Sequence, residues 1–122
     1  FIYLQIGSLY EELENYLQAI EFYKKVVPPS EETFEAVFSA GRCYTKINAV
    51  EEAIKTYEQL ATFSPKNNEF RIGGLLLLGG IYEARKQQQD ALRIYQDVSS
   101  NSTNPEWSSA AREKINTLQG GR

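Results

Sequence analysis

Few residues in this chain could do chemistry. One thiol, Cys43, could act as a nucleophile, and three adjacent carboxylate pairs, Glu11–Glu12, Glu31–Glu32 and Glu51–Glu52, could move protons. Neither set has the neighbours such work needs. The chain has no histidine, which removes the usual base for a thiol, the usual neutral-pH proton shuttle and the commonest metal ligand. Side chains adjacent in sequence do not face each other on a helix, so each pair reads as a solvated face and not as an acid–base couple. The glycine pairs Gly73–Gly74 and Gly79–Gly80 have no strand before them and no lysine–serine after them, so they form no phosphate loop. No catalytic, cofactor-binding or metal-ligating residue is expected, and Cys43 is expected to be buried and inert.

The 122 residues, 42% hydrophobic and 24% charged, suit one globular domain with a core of its own. A net charge of −3 gives no electrostatic reason for nucleic acid or an anionic membrane as partner. A single cysteine cannot form an internal disulfide and leaves the compartment open, cytoplasmic or bacterial periplasmic. No stretch reaches the roughly 18 apolar residues of a transmembrane helix, so no membrane insertion by this segment is expected. Starting on Phe1, inside an apolar periodic pattern, the sequence reads as a piece of a longer protein.

What the sequence does carry is an internal repeat. Gly7, Gly41 and Gly79 each precede a tyrosine by three residues: Tyr10, Tyr44 and Tyr82. Nine residues after each tyrosine stands an alanine, Ala19, Ala53 or Ala91, and four further on a second tyrosine, Tyr23, Tyr57 or Tyr95. The first two glycines are 34 residues apart and the next two 38, so four residues are inserted before the third copy. Each copy reads as two helices of about 12 to 15 residues with apolar positions three and four apart. A mid-helix glycine costs about 1 kcal/mol relative to alanine. Repeating that cost implies a repeated benefit: the second helix, with its alanine, approaches closely. The tyrosines are expected to fill the space between repeats.

These residues resemble the tetratricopeptide repeat family, whose unit is a helix–turn–helix. The copies are "YLQIGSLYEELENYLQAIEFYKKVV", "VFSAGRCYTKINAVEEAIKTYEQLATFSP" and "LLLLGGIYEARKQQQDALRIYQDV". Tyr3, Val37 and Leu75 stand where the family often has tryptophan, and Pro65 has no counterpart after the third copy. The resemblance implies an all-α fold, a right-handed α-solenoid of antiparallel hairpins with about seven helices. Repeat one is expected over 1–29, repeat two over 30–65, repeat three over 66–100, and a capping helix over 105–119. Pro28 and Pro29 should stop the first hairpin, with Ser30 as the next N-cap. Asn104 should cap a last helix that starts at Pro105 and presents Trp107, Ala110, Ala111, Ile115 and Leu118 on one face. The tail from Gln119 should fray. The run "RIGGLLLLGGIY" could be a buried strand by composition, but the repeat makes it a helix.

In this family the first helices line a concave groove that holds a peptide or helix of another protein. By position, the groove is expected to use Phe1, Leu4, Ser8 and Glu11, then Phe38, Arg42 and Thr45 with Glu35 and Lys46 nearby, then Leu76 and Glu83 beside Gly73 and Gly80. The lysines and asparagines with which some members grip a C-terminal carboxylate are replaced by Leu4, Ser8, Glu35, Ser39 and Arg42. The resemblance therefore implies a non-catalytic protein-binding module without cofactors. The second reading is a self-assembling scaffold, a homo-oligomer, for which the spacing resembles bacterial cell-envelope members.

Overall fold

The computed structural model describes residues 2–27 and 30–120, and Phe1, Pro28 and Pro29 lie outside the described residues. Seven helices and no strand occur among them. They are α1 (Ile2–Glu12), α2 (Tyr16–Tyr23), α3 (Glu32–Lys46), α4 (Val50–Ala61), α5 (Glu69–Ala84), α6 (Gln88–Asn101) and α7 (Pro105–Gly120). The chain divides into an N-terminal unit, Phe1–Leu60, and a C-terminal unit, Ala61–Arg122.

The three glycines form the hairpins. A Cβ on Gly7, Gly41 or Gly79 would lie 2.7, 2.5 or 2.6 Å from a ring carbon of Tyr23, Tyr57 or Tyr95 respectively. The ring of the second helix therefore packs directly against the bare backbone of the first. These three tyrosines thus fill a contact within the hairpin as well, while Tyr23 also packs among Ala36, Ala40 and Cys43 of the next repeat, as expected. The neighbouring alanines Ala19, Ala53 and Ala91 are wholly buried, as close packing requires.

The hairpin turns repeat as well. Glu14, Asn48 and Lys86 each stand seven residues after the repeat glycine and have left-handed φ of 59°, 62° and 63°. The next residue then donates its N–H to the carbonyl of Tyr10, Tyr44 or Tyr82, at 2.9, 2.9 and 2.8 Å. That six-to-one bond satisfies a carbonyl the ending helix would leave unpaired. The sequence hides this turn because glycine, its usual resident, is absent.

In the N-terminal unit α1 packs on α2 and α2 on α3. Ala19, Ile20 and Tyr23 meet Ala36, Ala40 and Cys43 there, with Tyr10 and Tyr44 partly buried alongside. Tyr10 also stacks on Phe22 at 5.6 Å between ring centroids. In the C-terminal unit α5 packs on α6 and α6 on α7. The glycine-rich run is helical, with Leu75 and Leu78 wholly buried, Leu76 half-buried and Leu77 exposed. Those two buried leucines, at about 2 kcal/mol each, offset much of the roughly 4 kcal/mol that four helical glycines cost.

Arg71 is the largest wholly buried side chain of this unit. Its guanidinium donates to both Asp97 oxygens at 2.8 Å and to the carbonyls of Lys66 and Ala61 at 2.9 and 3.1 Å. It thereby ties the segment before α5 to α6.

Several boundaries differ from expectation. The helix α2 has eight residues and α4 has twelve, so the four inserted residues extend α4 past Tyr57 by one turn and do not lengthen the loop. Ser30 does not cap α3: Glu31 holds the N-cap place without a side-chain bond, and the Ser30 hydroxyl is engaged with Thr33. Asn104 does cap α7, accepting from the N–H groups of Glu106 and Trp107. On α7 the buried residues are Ser108 and Ala111 while Ala110 is exposed, and the helix continues through Gln119 to Gly120.

Candidate partner-binding surface

Two of the expected groove residues of the N-terminal unit, Glu11 on α1 and Arg42 on α3, meet each other. Glu11, four residues after Gly7, accepts from the Tyr23 hydroxyl at 2.7 Å. Arg42, one residue after Gly41, grips the same carboxylate through Nε at 2.5 Å and Nη2 at 3.0 Å. Its guanidinium lies over the Phe38 ring, 5.3 Å from the centroid. A paired, planar contact of this kind is among the stronger side-chain links between helices.

Burial alone would raise the Glu11 pKa. The hydrogen bonds from Arg42 and Tyr23, with the Arg42 charge, outweigh it and hold the carboxyl below its usual range. Burial, and then the carboxylate it bonds, push the Tyr23 hydroxyl upward. Cys43 beside them is a free, wholly buried thiol. Burial first and the Glu11 charge second push it up to about 12, so it carries no thiolate near neutral pH.

The C-terminal unit repeats the arrangement. Glu83, four residues after Gly79, accepts from the Tyr95 hydroxyl at 2.6 Å and faces Lys114 of α7 at 3.4 Å. Lys114 stands 31 residues after Glu83, the same separation as Arg42 from Glu11. The helix α7 thus occupies the place of a next first helix, with Glu113 where the glycine would be. In repeat two Thr45 holds the carboxylate's position, and its hydroxyl donates to the Gly41 carbonyl at 3.0 Å.

Of the expected groove residues, Glu11, Phe38, Arg42, Thr45 and Glu83 are therefore engaged within the chain. Leu4, Phe38 and Leu76 are half-buried, and Ser8 and Thr45 are exposed. Phe1 lies outside the described residues. Beside the Glu11–Arg42 latch a cavity of about 450 Å³ opens, lined by Leu4, Gln5, Ser8, Leu9 and Glu35. Gln5 and Leu9 were not anticipated. They flank Leu4 and Ser8 on the next row of α1, a signal available from helical spacing alone. No group of three or more His, Cys, Asp or Glu side chains able to hold a metal occurs among the described residues.

Family models for the tetratricopeptide repeat match residues 2–27 and 36–69, each range holding one of the glycines set against its tyrosine. The chain belongs to the tetratricopeptide repeat family. Its third hairpin lies beyond those ranges and carries the same glycine–tyrosine contact. A search of curated proteins finds no match. Tetratricopeptide repeats generally mediate protein–protein interaction and are typically non-catalytic. No helix among the described residues is long and apolar enough to cross a membrane.

Proposed function

We propose that the α1–α3 side of the N-terminal unit binds a peptide or helical segment of another protein, as a module without catalysis or cofactor. The observation that carries this reading is the open cavity walled by Leu4 and Leu9 with Gln5, Ser8 and Glu35 at its polar rim. Concave sites that take a side chain combine apolar walls with a few polar groups in this way. The Glu11–Arg42 ion pair supports it by linking α1 to α3. Leu76 and Glu83 are the corresponding contact residues proposed for the C-terminal unit.

Arg42 and Phe38 are poor residues for testing the reading, since each is also part of the helix packing. A photo-crosslinking side chain at exposed Ser8, with a control at exposed Glu113 on α7, separates binding from folding. The reading expects a discrete adduct from Ser8 in cells making the protein and none from Glu113. Equal labelling from both positions, or none from Ser8, contradicts it.

The scaffold reading has its own support: Leu9, Leu13 and Leu17 are 60%, 75% and 68% exposed. Exposed apolar residues grouped in this way mark association surfaces. Sedimentation over a concentration series tests it, a monomer throughout removing self-assembly.

A further inference from the structure

We infer that the α1–α3 cavity selects a basic segment, seating one apolar side chain between Leu4 and Leu9 while a neighbouring lysine or arginine of the partner pairs with Glu35. The inference rests on the groove reading above and narrows it to one chemical class of occupant.

Charge carries the argument. Residues 1–60 hold ten glutamates against five lysines and arginines, a net charge of −5, whereas residues 61–122 hold six acidic and eight basic side chains, a net charge of +2. The overall value of −3 conceals that division. A concentrated negative field draws cationic ligands and repels acidic ones. Within the N-terminal unit the cation closest in sequence to Glu35, Arg42, is bidentate on Glu11 and so does not neutralise it. Lys25 is held over the Tyr3 and Phe22 rings, 5.5 and 5.2 Å from their centroids. Among the described residues Glu35 has no ion-pair partner, although it stands on the wall of the cavity.

The rest of the wall sets the apolar requirement. Leu4 and Leu9 come from adjacent rows of α1, and Gln5 and Ser8 offer polar groups at the rim. A carboxylate entering here would meet Glu35, and none of the five lining residues is a cation. An ammonium or guanidinium would find in Glu35 the one charged residue of that lining. The residue that favours a basic segment disfavours an acidic C-terminal tail by like-charge repulsion.

The experiment uses the ¹⁵N-labelled chain and three synthetic peptides of equal length that alternate leucine with lysine, with glutamine or with glutamate. The amide resonances of Leu4, Ser8, Leu9 and Glu35 report binding. The leucine–lysine peptide should shift them and the leucine–glutamate peptide should not. Glu35→Gln should weaken the leucine–lysine peptide about threefold, as loss of a partly exposed ion pair does. Glu35→Lys should weaken it about tenfold or more, with circular dichroism confirming the fold. Glu113→Lys changes net charge equally and should leave affinity unchanged. If the leucine–glutamine peptide binds as tightly and Glu35→Lys has no effect, the basic preference is wrong while the groove reading stands. If no peptide moves these resonances, or they move only with protein concentration as a second copy would cause, both readings fall.

Discussion

Replacing Gly79 by alanine should destabilise the protein, while the same change at the next residue, Gly80, should stabilise it. A Cβ at Gly79 would lie 2.6, 2.7 and 3.1 Å from Cε1, Cζ and Cδ1 of Tyr95. Ordinary carbon contacts begin near 3.5 Å, so the ring must retreat by about 1 Å. It has little room to do so, being 2% exposed. Retreat also strains the hydrogen bond from its hydroxyl to Glu83 at 2.6 Å. Overpacking costs about 1–3 kcal/mol, and loss of a bond to a charged acceptor about 1.5–3 kcal/mol. The better helix propensity of alanine returns about 1 kcal/mol. The net expectation for Gly79→Ala is a loss of about 3 kcal/mol. At Gly80 the added methyl would meet nothing within 4 Å beyond its chain neighbours and the surrounding backbone of its own helix. Only the propensity gain of up to about 1 kcal/mol remains. Urea denaturation followed by far-ultraviolet circular dichroism measures both. Shifts of the same sign and similar size would refute the close ring–backbone contact.

Asp97→Ala should cost about 3 kcal/mol, because it leaves the wholly buried Arg71 guanidinium without its counter-charge, and Arg71→Met should cost less; urea midpoints of the two variants check the order. The Glu11 carboxyl is held below its unfolded value, so its contribution is present at neutral pH and is lost as pH falls through the folded value. Urea midpoints measured from neutral pH down to about pH 3 should therefore fall less in Arg42→Met than in the parent chain. Lys86→Gly should stabilise by about 0.5–1 kcal/mol despite the added chain entropy, since Lys86 has φ of 63° in the turn after α5; a lower melting temperature would contradict that.

The hairpins were legible because their determinants are local and repeated. Gly7, Gly41 and Gly79 recur with their tyrosines at fixed separations, and each pair lies on two helices joined by a short turn. What the separations could not say is which tyrosine lies on the glycine. That depends on the rotation of the second helix, and it is the ring sixteen residues on. The left-handed turns at Glu14, Asn48 and Lys86 were hidden because none of the three is glycine. Ser30 looked like a cap, but its hydroxyl had a competing partner in Thr33. The four-residue insertion extended α4 because the sequence after Tyr57, Glu58–Gln59–Leu60–Ala61, is itself helix-forming. For the candidate surface, position along α1 pointed to Leu4 and Ser8, which line the cavity, whereas Phe38 and Arg42 of α3 pack on each other. The commitment of Arg42 to Glu11, and of Arg71 to Asp97, joins residues 31 and 26 apart, and such pairs are set by the facing of packed helices.

Three tyrosine rings packed against three glycines hold each first helix to its second, and the Gly7–Tyr23 contact seats α1, which supplies four of the five residues lining the cavity. Nuclear Overhauser spectroscopy in solution reads this directly. The α-protons of Gly7, Gly41 and Gly79 should show cross-peaks to the ring protons of Tyr23, Tyr57 and Tyr95, and should be moved by the ring currents. Glycine α-protons at ordinary shifts, with no cross-peak to those rings, would contradict the hairpin geometry and the surface built on it.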